Sequence, residues 1–132
     1  MAIKDAPTKV IDDVGQEYDP TDVVGYMENT YPEMTSEFKK IQRDQYELFC
    51  KKQYDYGPQN IAVGTILKTP EDIKLSLLGI WFRMNDKIER MKTLLMRNGE
   101  NSVEGEPVTD SFSDVSNYGV MAQVVARGKW AK

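Results

Sequence analysis

Four acidic residues stand at helical spacing in the second half of the chain. Glu89 follows Asp86 by three residues, and Asp114 follows Asp110 by four. Residues three or four apart lie on one face of a helix, so each pair presents two carboxylates side by side. Hard cations such as Mg²⁺ or Mn²⁺ prefer carboxylate oxygens, and the chain contains no histidine. The candidate metal ligands are therefore Asp86, Glu89, Asp110 and Asp114.

A simpler interpretation exists for each acid alone. The first pair alternates with basic residues, as on a solvated, salt-bridged helix face. Asp110 would interact with the N-terminal dipole of its helix, and Asp114 would pair with a surface cation. For any single acid we favour this interpretation, and for the four together we favour a shared site.

A cation held by carboxylates commonly bridges phosphate oxygens, which makes a nucleoside phosphate the natural ligand. The basic residues expected to neutralise phosphate are Lys52, Arg83, Lys87 and Arg90. The residues expected to hold a base are Tyr54, Tyr56, Asn60, Asn117 and Tyr118. The alternative is that the cations form a wet helix face and the tyrosines anchor a loop to the core. Neither GxxxxGK[ST] nor GxGxxG occurs in the chain.

The strongest helix signal runs from Thr69 to Asn98. Thr69 can cap the helix, Pro70 suits its first position, and Asp72 can close a capping box. Apolar residues at three- and four-residue steps predict the buried stripe. They are Ile73, Leu77, Ile80, Trp81, Met84, Ile88, Met91 and Leu95. The opposite side has Leu75, Leu78, Gly79 and Phe82, then Asp86 and Glu89.

Two further helices and several connections are predicted. A capping-box pattern at Thr30 begins a helix that runs to about Tyr54, and Gly-Pro then ends it. Residues 61–67 are apolar and fit either a strand or a buried helical turn. A polar loop over 99–107 leads to a last helix from near Thr109 to a C-cap at Gly128. Because that loop is short, the last two long helices should be antiparallel neighbours.

These elements predict an all-α fold, a small bundle of three main helices with an irregular N-terminal arm. Residues 1–29 would form the acidic arm and residues 30–132 the helical domain. Three helices leave the long one incompletely covered, which predicts a homo-oligomer.

Composition limits the class of protein. The net charge of -4 and the pI near 4.9 argue against broad adhesion to DNA or anionic lipid. A local basic patch still leaves nucleic acid among the conceivable partners. One cysteine precludes an intrachain disulfide and fits a reducing compartment. No run reaches membrane-spanning length, so we expect no membrane association and a cytoplasmic location.

Three motifs together resemble a known family. They are Lys52-Gln-Tyr-Asp-Tyr-Gly57, Arg83-x-x-Asp86-Lys87-x-x-Arg90 and Asp110-x-x-x-Asp114-x-x-Asn117-Tyr118. In combination they resemble the nucleotide modification associated domain 1 family of bacteriophages and bacteria, over about residues 30–127. The resemblance implies a role in phage nucleotide or base modification, and the host cytoplasm as location if the chain is phage-encoded.

The acidic pattern is also similar to that of MazG-like all-α NTP pyrophosphatases, where ExxE and ExxD pairs hold Mg²⁺ against a triphosphate. Here the second pair, Asp110 and Asp114, is spaced by four instead of three. One hypothesis is therefore a phage-type nucleotide-metabolism protein that binds a nucleoside phosphate through Mg²⁺, with hydrolysis as a nucleotide pyrophosphohydrolase left open. The other is a non-enzymatic module that sequesters a nucleotide or docks on another protein. No catalytic residue is identified.

Overall fold

The computed structural model describes residues 10–97 and 102–132, and it is 70% helical with five helices in that part of the chain. The helices are α1 Val23–Thr30, α2 Pro32–Tyr56, α3 Gln59–Ala62, α4 Pro70–Met96 and α5 Val108–Ala126. The two short strands are β1 Val10–Ile11 and β2 Glu17–Tyr18. The prediction of an all-α fold is confirmed. None of the described helices is long and apolar enough to cross a membrane.

The chain divides into two compact units after Asp44. The predicted division into an arm over 1–29 and a helical domain over 30–132 stays a prediction. The described part of the first unit begins at residue 10 and holds β1, β2, α1 and the first part of α2. The second unit holds the rest of α2 and the helices α3 to α5.

Local hydrogen bonds give residues 10–30 more structure than the irregular arm that we expected. β1 and β2 form an antiparallel hairpin, and the Asp12 carboxylate accepts a hydrogen bond from the Gln16 N–H at 2.7 Å. The Tyr26 hydroxyl also donates to Asp12, which ties α1 to the turn. Asp22 caps α1 by accepting from the Gly25 N–H at 2.8 Å. Asp side chains that bond nearby backbone amides stabilise such turns and caps.

The expected cap at Thr30 is wrong, although the start of the helix is nearly right. Thr30 is the last residue of α1, and its hydroxyl accepts a hydrogen bond from the Gln16 side chain at 3.1 Å. α2 begins at Pro32, a residue whose fixed φ suits a first helical position. It ends at Tyr56, where Gly57 has φ +76° and precedes Pro58.

Only the first two residues of the apolar segment 61–67 form a buried helical turn, and the exposed Val63 and Ile66 follow outside any helix or strand. α3 ends at Ala62, and Val63 follows in a left-handed conformation with φ 54°. Ile61 and Ala62 are buried. The buried Ser76 hydroxyl of α4 donates to the Ile61 carbonyl at 2.6 Å, which fixes α3 against α4. This contact gives a buried backbone carbonyl the partner that it needs.

The predicted ends of the two long C-terminal helices are confirmed to within about two residues. The Thr69 hydroxyl accepts from the Asp72 N–H at 3.1 Å and caps α4. The Asp72 carboxylate accepts a hydrogen bond from the Lys68 N–H at 3.4 Å. α5 ends at Ala126, and Gly128 has φ +70°, the conformation expected at a helix C-terminus.

The core of the second unit lies between α3, α4, α5 and the C-terminal segment. Its buried apolar residues are Ile61, Ile80, Met121, Val125 and Trp130. Three residues predicted to be buried, Trp81, Ile88 and Leu95, are exposed, whereas Ser76 and Leu94 are buried. The first half of α4 is apolar nearly all round, so its sequence offered two candidate stripes there and periodicity could not choose between them.

Candidate functional site

A cleft of about 320 Å³ opens between α2, α3, α4 and α5 within the second unit. This volume lies at the lower end of the range for small-ligand sites. The lining residues are Phe49, Lys52, Gln53, Tyr56, Asn60, Ile61, Arg83, Lys87, Asp114, Asn117, Tyr118 and Met121.

Helical spacing explains why these residues meet. On α2 the lining positions are 49, 52, 53 and 56, and on α5 they are 114, 117, 118 and 121. Both sets follow the steps of three and four that define one face of a helix. α4 contributes Arg83 and Lys87, which are one turn apart. Three helices thus turn one face each toward the cleft, and α3 closes it with Asn60 and Ile61.

A carboxylate held by two lysines is the ionic centre of the cleft. One oxygen of Asp114 lies 3.2 Å from the Lys52 Nζ, and the other lies 3.1 Å from the Lys87 Nζ. The Asp114 side chain is only 17% exposed, whereas both lysines are more open to solvent. Each ammonium has three donors, so each keeps hydrogen-bonding capacity for a ligand. The carboxylate therefore positions two cations that remain accessible.

Three polar side chains extend this centre along the walls. The Arg83 guanidinium donates to the Asn60 carbonyl at 3.4 Å, a long contact that leaves most of its donors free for other partners. The Asn117 amide donates to the Gln45 carbonyl at 3.2 Å, so its oxygen is directed elsewhere. The Gln53 Oε1 is buried and has no hydrogen-bond partner in the described part of the chain. Buried polar atoms normally have partners, so this oxygen is suited to accept a donor from a ligand or from water.

The remaining lining residues are apolar or aromatic. Phe49, Ile61 and Met121 contribute apolar surface, and Tyr56 and Tyr118 contribute phenol rings. Trp130 packs against one of these residues, because its ring lies edge-on to Phe49 with centroids 5.9 Å apart. Its indole N–H donates to the Pro58 carbonyl at 2.9 Å. Aromatic faces and apolar contacts suit a flat ring, and the cations suit an anion.

The structure brings together most of the phosphate-binding and base-binding candidates and one of the metal candidates. Those that line the cleft are Lys52, Tyr56, Asn60, Arg83, Lys87, Asp114, Asn117 and Tyr118. Those that do not are Tyr54, Asp86, Glu89, Arg90 and Asp110. Tyr54 is 90% exposed and lies outside the lining, and Tyr56, which belongs to the lining, is itself 70% exposed.

The expected convergence of four carboxylates is not found. Among residues 10–97 and 102–132, no group of three or more Asp, Glu, Cys or His side chains could hold a metal ion. Asp86, Glu89 and Asp110 are exposed and lie outside the cleft lining. One helical residue is about 100° of rotation, so the face of α4 that presents Lys87 to the cleft turns Asp86 away. A single carboxylate whose oxygens each face an ammonium is a poor fit for a resident Mg²⁺.

Arg90 forms its hydrogen bonds outside the cleft. Its guanidinium donates to the Ser111 hydroxyl at 2.6 Å and to the Glu106 and Pro107 carbonyls. These bonds hold the segment that enters α5 against α4. These partners occupy Arg90 away from the cleft, and its predicted role in neutralising phosphate stays a prediction.

The cleft also contains residues that the sequence did not single out. Phe49, Gln53, Ile61 and Met121 line it. Helical spacing could have indicated three of them, Phe49 and Gln53 around Lys52 and Met121 after Tyr118. No protein-family model, curated protein or solved structure matches this chain. The site must therefore be interpreted from its own geometry.

Proposed function

We propose that the protein binds a nucleoside phosphate in the cleft between α2, α3, α4 and α5. The observation that carries the proposal is the placement of Lys52 and Lys87 on one largely buried carboxylate, with Arg83 and two tyrosines in the same lining. Ammonium and guanidinium groups form charge-assisted hydrogen bonds with phosphate oxygens. A ligand that joins an anion to a flat ring fits both halves of this lining.

The local charge supports an anionic ligand. Three cations against one carboxylate give the lining a formal net charge of plus two, in a chain whose total is -4. A cleft of one sign concentrates field lines and attracts ligands of opposite sign. The overall acidity then disfavours long polyanions, which would also contact the rest of the surface. A small phosphorylated molecule meets both conditions.

The base would lie against the aromatic and amide side of the cleft. Tyr56 and Tyr118 offer ring faces, and Asn60 and Asn117 offer amides. Gln53 adds the acceptor that lacks a partner. An exocyclic amino group or a ring N–H of the base could donate to that oxygen.

The proposal assigns binding without a resident metal. Mg²⁺ coordination by four carboxylates was the basis for expecting hydrolysis, and three of those carboxylates lie outside the cleft. In the proposal Asp114 orients Lys52 and Lys87, and the lysines neutralise the phosphate. This is the nucleotide-sequestering alternative of the sequence analysis, and it is compatible with the resemblance to a phage nucleotide-modification family.

Calorimetric titration of the whole chain with ATP, GTP, CTP, dTTP and inorganic triphosphate tests the proposal. Each titration is run once in EDTA and once in Mg²⁺, with release of pyrophosphate followed in parallel. The proposal predicts saturable binding in EDTA and no turnover. Binding that requires Mg²⁺, together with pyrophosphate release, would favour the hydrolase hypothesis. Absence of binding to every probe would contradict both.

Neighbouring lysines on α2 give a matched control. Lys52 lines the cleft, whereas Lys51 is exposed and pairs with Glu47 at 2.8 Å on the same helix. Lys52→Met should weaken binding roughly 10- to 100-fold, since a hydrogen bond to a charged group contributes about 1.5–3 kcal/mol. Lys51→Met removes the same charge from the same helix and should leave the affinity nearly unchanged.

A further inference from the structure

The half of α2 that forms one wall of the cleft has few apolar contacts with the other helices. We call this half, residues 45–56, the α2 wall. None of the residues of α2 is buried. The partly buried residues of the α2 wall follow one helix face, and they are Gln45, Phe49, Lys52 and Gln53. Phe49, which packs against Trp130, is the one apolar member of that set.

The opposite walls of the cleft belong to a more closely packed pair of helices. α4 and α5 approach each other closely along their lengths, whereas α2 approaches neither of them in this way. Ile80 of α4 is buried in the core together with Met121 and Val125 of α5. Most of the stability of a helix in a folded protein comes from packing of its apolar face. The α2 wall is therefore held in place less strongly than α4 and α5.

Polar contacts attach the α2 wall to α5. The Gln45 side-chain oxygen accepts a hydrogen bond from the Ser116 hydroxyl at 2.9 Å, and the Gln45 carbonyl accepts from the Asn117 amide at 3.2 Å. Lys52 adds its ion pair with Asp114. Contacts of this kind contribute modestly to stability, because water competes for the same groups. A region with few buried apolar contacts opens locally more readily than the core does.

We propose that the α2 wall opens from α5 in the free protein and that a nucleoside phosphate in the cleft holds it closed. The inference rests on the proposed function, because the ligand must contact both sides of the cleft. Lys52 binds it from α2, and Arg83 and Lys87 bind it from α4. A ligand that binds only the closed state favours that state by a factor of 1 + [L]/Kd. Gln45 is then a positioning residue, since it attaches α2 without lining the cleft.

Amide hydrogen exchange of the full chain, followed by NMR in EDTA, tests the opening. In the free protein the amides of the α2 wall should exchange roughly tenfold faster, or more, than those around Ile80 and Val125, because a helix detached from a core is marginally stable. Their rates should be similar along the wall, whereas simple fraying would affect only the turn at Tyr56. Exchange as slow as that of α4 and α5, or fast exchange confined to the last turn, would overturn the proposal.

Exchange in the presence of inorganic triphosphate separates this inference from the proposed function. At about 100 times its dissociation constant, triphosphate should slow exchange of the α2 wall roughly 100-fold. Binding seen by calorimetry without such slowing would overturn closure of the α2 wall and leave the proposed function in place. Absence of binding to triphosphate and to ATP would contradict the proposed function, and closure by a ligand with it.

Ser116→Ala tests the attachment of the α2 wall at Gln45. It removes the hydroxyl that donates to Gln45, and Ser116 lies outside the cleft lining. Exchange of the α2 wall should become roughly two- to tenfold faster, the effect of one hydrogen bond, and exchange around Ile80 should stay the same. Ser102→Ala is the matched control, because Ser102 is exposed in the segment before α5. Equal exchange of the α2 wall in the two variants would overturn the role of Gln45.

Discussion

The Lys87 Nζ lies 3.1 Å from Oδ2 of Asp114, and this contact joins α4 to α5 in the wall of the cleft. Lys52 reaches the other oxygen from α2, so one carboxylate connects three helices. Both lysines remain partly exposed, and ion pairs of that kind add little to the free energy of unfolding. We infer that the main effect of the contact is to hold two cations in fixed positions.

Asp114→Asn distinguishes a carboxylate that positions two lysines from a carboxylate that binds a metal ion. Asp114→Asn removes a negative charge that competes with a bound anion at about 5–6 Å, which at an effective dielectric near 20 is worth on the order of 1–3 kcal/mol before solvent screening. We therefore expect inorganic triphosphate still to bind at low salt, within a few-fold of the wild type, because the lost repulsion offsets the looser placement of the two lysines. A metal ligand would behave in the opposite way, so complete loss of triphosphate binding would contradict our assignment. Calorimetry in EDTA makes the measurement.

The contact between α3 and α4 depends on one buried hydroxyl. Ser76→Ala leaves the Ile61 carbonyl without the donor that now lies 2.6 Å away. An unsatisfied buried acceptor costs about 1–3 kcal/mol, and we expect the free energy of unfolding in urea to fall by that amount. Ser102→Ala is the control, because Ser102 is exposed in the segment before α5. A loss below about 0.5 kcal/mol in Ser76→Ala would mean that the carbonyl finds another partner.

Trp130 stabilises the region behind the cleft through both packing and a hydrogen bond. Trp130→Phe keeps an aromatic ring but removes the N–H that donates to the Pro58 carbonyl at 2.9 Å. We expect a loss of about 2–4 kcal/mol in the free energy of unfolding, from the smaller ring and the missing donor. The matched control is Trp81→Phe, at an exposed position, read by urea unfolding at low protein concentration. Equal losses in the two variants would show that Trp130 is not a core residue.

The first unit contains a hydrogen bond that makes its stability depend on pH. The Tyr26 hydroxyl donates to Asp12 and holds the pKa of that carboxyl below its ordinary value. The same bond raises the pKa of Tyr26. Because the pKa of Asp12 is lowered in the folded state, the bond contributes stability above the ordinary pKa of Asp and loses it as the pH falls through the lowered pKa.

Tyr26→Phe removes that donor, so the pKa of Asp12 should rise toward its ordinary value. NMR titration of the Asp12 side-chain carbonyl measures the change directly. Tyr31→Phe serves as the control, since Tyr31 follows α1 and is half exposed. An Asp12 pKa that is the same in Tyr26→Phe and in the wild type would contradict the described bond.

Local signals made the helix ends predictable. Thr69 and Gly128 act through bonds or backbone conformations within a few residues, so their roles can be inferred from sequence alone. The rotation of α4 about its axis could not be predicted, because residues on both of its faces are apolar. Which face is buried depends on α3 and α5, whose positions no local pattern specifies. This is why Trp81 and Leu95 were expected in the core and are exposed.

Most residues of the candidate site could be predicted from the sequence, but their contacts with one another could not. Lys52 and Asp114 were both singled out, yet their contact joins residues 62 apart in the chain and depends on how α2 packs on α5. Sequence spacing showed that Asp110 and Asp114 share a helix face. It did not show that only one of them reaches the cleft. That depends on how far α5 is shifted along its axis relative to the other helices.

The affinity of Lys87→Met for nucleoside triphosphates in EDTA, measured beside the wild type and Lys51→Met, shows whether the cleft binds phosphate through its cations. If the cleft binds a nucleoside phosphate through its cations, Lys87→Met should bind roughly 10- to 100-fold more weakly, and Lys51→Met should match the wild type. Equal affinities in all three proteins, or wild-type binding only when Mg²⁺ is present, would mean that these lysines do not bind the phosphate.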